Sequence, residues 1–184
     1  MDGIRAETPL EDAAIKQMPV GTRIFLSGAI YTARDAAHER LVDLIAAHKP
    51  LPFDMEGSVI YYVGPSPAKP GHVIGAAGPT TSSRMDPYTP LLLDRGVKGM
   101  IGKGARSKEV IEAMKKNCAV YFGATGGAAA LLSKSIVEAE VIAFEELGTE
   151  AVRRLIIKDM PLIVINDCEG RDLYIEGQKE WASV

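Results

Sequence analysis

GPTTSSRMDP, Gly78 to Pro87, places two threonines, two serines and an arginine between a Gly-Pro turn and a Met-Asp-Pro helix entry. Hydroxyls and a guanidinium crowded onto one turn suit an anionic, oxygen-rich ligand. The arginine fork pairs bidentately with a carboxylate, and a hydroxyl donates, accepts or moves a proton. Downstream, IGKG (Ile101 to Gly104) holds a lysine between two glycines after an apolar run. Upstream, SGAIYTARDAAH (Ser27 to His38) carries Arg34 just inside an expected helix. Arg34, Arg84 and Lys103 come from separate turns, where α/β folds gather ligands, and are expected to converge on one small polyanion.

Working outward, TRIFLSG (Thr22 to Gly28) reads as a strand. Ala33 to His48 reads as a helix, with Ala37, Leu41, Leu44, Ile45 and His48 at helical spacing, ended by Pro50 and Pro52. SVIYYVG (58–64) and HVIGAAG (72–78) are expected as paired strands across the turn-forming PSPAKPG. Pro87 to Asp94 is expected as a short helix and GVKGMIGKG as a strand entering a tight loop. Ser107 is placed to cap a helix from Lys108 to Asn117, with Val110, Ile111 and Met114 on its apolar face and Glu112–Lys116 as an i,i+4 pair. CAVYFG and VEAEVIAFE read as strands, and GATGG turns into a small-residue helix, AAALLSKS. Glu150 to Lys158 is expected as a short helix, with PLIVIND and DLYIEG as a closing hairpin. Strands alternating with helices make the class α/β, and the paired stretches make its sheet mixed.

The 184 residues fit one domain, and a 47% hydrophobic content suffices for one core. Residues 1–20 read as an entry arm, 21–177 as the body and 178–184 as a tail. A net charge of −3 gives no reason to expect nucleic acid or an anionic membrane as partner. The N-terminus has neither the apolar core of a secretory signal nor the arginines of a transit peptide, and no window approaches a membrane span. A cytoplasmic setting is the expectation.

Cys118 and Cys168 lie beside apolar runs, outside any CxxC pair, and two cysteines are too few for a four-iron cluster or a structural zinc site. Both are expected as small buried hydrophobes. His38, His48 and His72 have no ligand spacing, so no metal site is expected in this chain. GKGARS lacks the Walker A pattern, and Ser107 stands where the last glycine of GxGxxG belongs. GATGG (Gly123 to Gly127) has the option of an anion at a helix N-terminus, and more often is a tight turn. Asp86, Asp94, Asp167 and Glu169 read as caps and turn residues.

SGAIYTARDAAH, GPTTSSRMDPYTP and GKG, in this order, resemble the beta subunit of class I fumarate hydratases, the iron–sulfur fumarases, and the related tartrate dehydratase beta subunit. The resemblance runs from about Pro19 to about Gly177. It implies a swivelling β/β/α domain with a mixed central sheet. It also implies reversible hydration of fumarate to malate, a tricarboxylic acid cycle step. The cofactor implied is a 4Fe-4S cluster with one open iron, held by a separate alpha subunit. This chain would be inactive alone, and an α2β2 assembly is expected.

The resemblance assigns Arg34, Arg84, Lys103 and Thr81 to substrate binding and Thr80, four positions before Arg84, to proton transfer. A threonine hydroxyl needs neighbouring cations and a dry site to act as a base, and a residue of the partner chain is an equal source of the proton transfer. L(+)-tartrate dehydration is the alternative within the class, since both substrates are four-carbon dicarboxylates of the same charge. A non-catalytic anion-binding module is the alternative outside it. Phosphohistidine carriers need a histidine on the exposed turn, where this chain has Thr80, Thr81, Ser82 and Ser83.

Overall fold

The computed structural model describes residues 3–124 and 129–182. Its frame is a seven-stranded mixed sheet: β1 Ile4–Glu7, β2 Arg23–Thr32, β3 Val59–Tyr61, β4 Gly99–Gly102, β5 Val120–Gly123, β6 Ile136–Ala143 and β7 Val152–Asn166. β2, β3, β4 and β5 run parallel in that spatial order. The long β7 pairs antiparallel with both β5 and β2, so these five strands close into a ring. β1 extends β2 in parallel register, and β6 lies antiparallel on the other edge of β7.

Alternation along each strand sorts side chains to two cores. Tyr61, Ile101, Phe122 and Val164 point into the ring, with Leu26, Ile30, Leu155 and Met160. Their neighbours Ile60, Tyr62, Met100, Tyr121 and Ile165 face outward under the helices. That outer layer comprises α2 (Asp35–Ala46), α3 (Thr89–Leu93) and α4 (Lys108–Asn117), which bury Ala37, Leu41, Leu92, Val110 and Met114. Ser107 caps α4 as expected, accepting from Val110 N at 3.3 Å. The entry arm adds α1 (Asp12–Ile15), and its Ala6, Leu10, Ile15 and Met18 belong to the inner core. Two further α-helices among the described residues are α5 (Ala129–Leu132) and α6 (Leu173–Trp181). Among the described residues no helix is long and apolar enough to cross a membrane.

Four local expectations are overturned. HVIGAAG is no strand: only Val63 and Pro79 form a bridge there, and β3 pairs with β2 and β4 instead. Glu150 to Lys158 is not a helix but the first half of β7, held on both edges by β2 and β6. PLIVIND is the second half of β7, and DLYIEG opens α6, so the closing hairpin does not exist. Asp172 accepts from Tyr174 N at 2.8 Å and starts that helix, a cap signal readable in the sequence. Finally, Glu112 pairs with Lys115, because Lys116 reaches Asp94 at 2.8 Å.

Candidate functional site

The C-terminal ends of the parallel strands lie together at one end of the ring. Arg34 follows β2, Lys103 follows β4, and the Thr80–Arg84 turn is tied to the residues just beyond β3 and β4. Thr80 N donates to Tyr62 O at 2.7 Å, Thr81 forms a parallel bridge with Lys103, and Ser82 N donates to Lys103 O at 2.9 Å. Ser82–Met85 then curls into a short 3₁₀ turn that carries Arg84 outward.

A buried polar chain fixes this turn. Lys103 N donates to Ser82 Oγ at 3.1 Å. Ser82 Oγ lies 2.8 Å from the Tyr121 hydroxyl, which donates to Gly104 O at 3.0 Å. Burial holds the Tyr121 phenol above its ordinary range, which keeps it a proton donor. Gly102 is required here: a Cβ would stand 1.9 Å from Ser82 Oγ. Gly104 adopts φ +85°, a left-handed turn that glycine enters without a Cβ penalty. Both glycines of IGKG thus serve to place Lys103.

Beneath the turn lies Arg106, which the sequence reading passed over. Its side chain has no exposed surface and pairs from Nε with Asp86 Oδ1 at 2.8 Å. Nη2 donates to Thr89 Oγ1 at 2.8 Å, and the guanidinium lies 5.3 Å and 5.0 Å from the Tyr62 and Tyr121 ring centroids. The other oxygen of Asp86 accepts Ser107 N at 2.7 Å, so one carboxylate ties the threonine turn to the start of α4. No local pattern marks this role, because the pair joins residues 20 positions apart in the chain.

Arg34 sits in extended conformation as the residue before α2. Its guanidinium lies 3.3 Å from Glu150 and 3.8 Å from Asp35. Asp35 Oδ2 also pairs with Arg84 Nη2. One carboxylate oxygen therefore lies between the two arginines that the sequence singles out. Arg34 Nε is buried without a hydrogen-bond partner among the described residues. Arg84 and Lys103 are exposed, and Lys103 makes no ion pair among those residues. Thr80 is half-buried, while Thr81 is open to solvent.

His38 supports Arg34 from inside. It lies one helical turn on, fully buried, with Nδ1 2.8 Å from Arg34 O. A carbonyl only accepts, so Nδ1 carries the proton, and burial favours the neutral ring. Desolvation lowers its pKa to about 4.

Residues 2–177 match the family model described as "Fumarase C-terminus". The chain belongs to this family. It is 42% identical to fumarate hydratase 2 of Leishmania major over 162 residues, covering 87% of this chain and 28% of that protein. It is 41% identical to the anaerobic class I fumarate hydratase of Escherichia coli, over 88% of this chain and 30% of that protein. The chain therefore spans less than a third of these relatives. A protein of Methanocaldococcus jannaschii named "Putative L(+)-tartrate dehydratase subunit beta" is 37% identical, covering 90% of this chain and 88% of its own length.

In this chain Arg34 and Arg84 stand together across Asp35, and Lys103 stands beside Thr81 and Ser82. The anion-site reading of GATGG (Gly123 to Gly127) rests on residues 125–127, which lie outside those described. Among the described residues no group of three or more His, Cys, Asp or Glu fits a metal ion. Cys118 precedes β5 and Cys168 follows antiparallel β7, so both sit at the end of the ring opposite Lys103.

Proposed function

We propose that this chain is the beta part of an iron–sulfur hydro-lyase that reversibly adds water across fumarate to give malate. The observation that carries the reading is the set of cations and hydroxyls at the C-terminal ends of β2, β3 and β4, in a chain whose relatives include class I fumarate hydratases. Arg34 and Arg84 suit the two ends of a dicarboxylate, since each keeps guanidinium nitrogens uncommitted. Lys103 adds a point charge beside the threonine turn. Thr80 is assigned the proton transfer and Thr81 a substrate contact. A second assignment has its own support: Thr81 is the more open hydroxyl and lies in register with Lys103.

The chain's own residues do not fit an iron–sulfur cluster, because its two cysteines stand at the far end of the ring. In this reading the 4Fe-4S cluster belongs to an alpha-type partner, and the site is completed between the two chains. L(+)-tartrate dehydration is the second reading, favoured by the Methanocaldococcus jannaschii relative and its beta-subunit name.

The test is anaerobic reconstitution with an alpha-type chain carrying the cluster. The purified chain alone should leave fumarate unchanged, and the reconstituted complex should hydrate it. Robust hydration by the isolated, iron-free chain would overturn the division of labour. A complex that dehydrates L(+)-tartrate and ignores fumarate would select the second reading.

A further inference from the structure

Asp35 has no place in the assignments above, yet its carboxylate occupies the centre of the arginine pair. Oδ2 accepts from Arg84 Nη2 and lies 3.8 Å from Arg34 Nη2. The ordinary role for an acidic residue in a first helical turn is to satisfy backbone N–H groups or the helix dipole. Here Glu150 takes that role: its Oε2 accepts Ala36 N at 3.1 Å. Asp35 accepts no backbone N–H among the described residues and turns to the arginines instead. Its contacts join the residues after β2 to the 3₁₀ turn that follows Thr81.

We propose that Asp35 is a positioning residue of the dicarboxylate site, holding Arg84 beside Arg34 so that the two substrate carboxylates meet arginines already oriented. The proposal rests on the dicarboxylate reading given above. The alternative, a carboxylate that the substrate must evict, fits less well. Asp35 engages a single nitrogen of Arg84, and a guanidinium has five N–H groups, so most of the fork remains for a ligand. Arg84 has no other ion-pair partner among the described residues and is exposed. Without Asp35 the ligand itself would have to order a long side chain, which weakens binding. Exposed ion pairs contribute little to stability, so the effect belongs in binding and not in folding.

The test compares wild type with Asp35→Asn and Asp35→Glu in the reconstituted two-chain enzyme. Asparagine keeps the shape and removes the charge. The Michaelis constant is expected to rise about tenfold in Asp35→Asn, with turnover within about twofold of wild type and an unchanged melting temperature. Asp35→Glu should recover part of the loss. An unchanged Michaelis constant would make Asp35 a surface charge, and a lowered one would make it the evicted placeholder; either overturns the proposal. A second readout needs no turnover: in the isolated chain, NMR of the Arg84 guanidinium should show faster side-chain rotation in Asp35→Asn than in wild type. Equal mobility in both overturns the proposal, whereas a wild-type complex inactive on every dicarboxylate overturns only the functional reading.

Discussion

Arg106 and Asp86 form an ion pair 2.8 Å apart, with no surface of the arginine side chain exposed, directly beneath the threonine turn. The pair is buried under Tyr62 and Tyr121 and completed by Thr89, so each of the three guanidinium nitrogens has a partner. Removing one member of such a pair leaves an uncompensated charge in the interior. Arg106→Ala is expected to lower unfolding free energy by about 3–5 kcal/mol, measured by urea denaturation. A loss under about 1 kcal/mol, the range of an exposed pair, would show that the site is open to water.

His38 makes stability depend on pH in a defined window. Its folded-state pKa is lowered to about 4 by desolvation, against an ordinary value of 6.5. Arg106 acts in the same direction, while Asp35 and the Arg34 carbonyl oppose it. Between these values the unfolded chain binds a proton that the folded chain refuses. Stability therefore falls as pH drops from about 6.5 towards about 4, by at most about 3 kcal/mol from this group. Comparing wild type with His38→Phe across that range isolates the contribution. Parallel pH profiles would contradict it.

Arg84→Ala is expected to reduce kcat/KM in the reconstituted complex by about two to three orders of magnitude or more, within the span that about 2–5 kcal/mol allows for a desolvated arginine–carboxylate contact. Arg34→Ala should act in the same direction. Circular dichroism should show both variants folded, because Arg84 is exposed and Arg34 lies at a helix entry. Normal kinetics in both variants would return them to the surface.

Thr80→Val keeps the branched shape and deletes the hydroxyl. If that hydroxyl moves the proton, turnover should fall about 10²–10⁴-fold with little change in the Michaelis constant. Thr81→Val should cost less in turnover and show its effect in binding. Steady-state kinetics of both variants decides the assignment: a large turnover loss in Thr81→Val instead moves the proton to the hydroxyl beside Lys103. Small, equal losses leave it with the partner chain.

Elements whose signal is local were legible in the chain. The apolar spacing of Ala37, Leu41 and Ile45 marks α2, and Ser107 marks the start of α4. β7 was not legible in the same way. Its first half, AVRRLIIK, contains good helix formers, and its strand state is imposed by pairing with β2 and β6 on both edges. Pro161 lies within this strand, opposite Phe25 in the β2 ladder. Asp159, two residues earlier, adopts φ +47° where the register with β2 shifts, and the strand continues.

The α/β class, the two motif turns and the cations that populate them are legible along the chain, because glycine, proline and hydroxyl residues act through the backbone nearest to them. Three features come from the folded arrangement alone: the strands close into a ring through β7, Arg106 is buried under the site, and Asp35 stands between Arg34 and Arg84. Each of these depends on contacts between residues far apart along the chain, such as Arg84 with Asp35 and Arg106 with Asp86. No local pattern encodes them, since the energy that selects them comes from strand pairing and burial shared across the whole core.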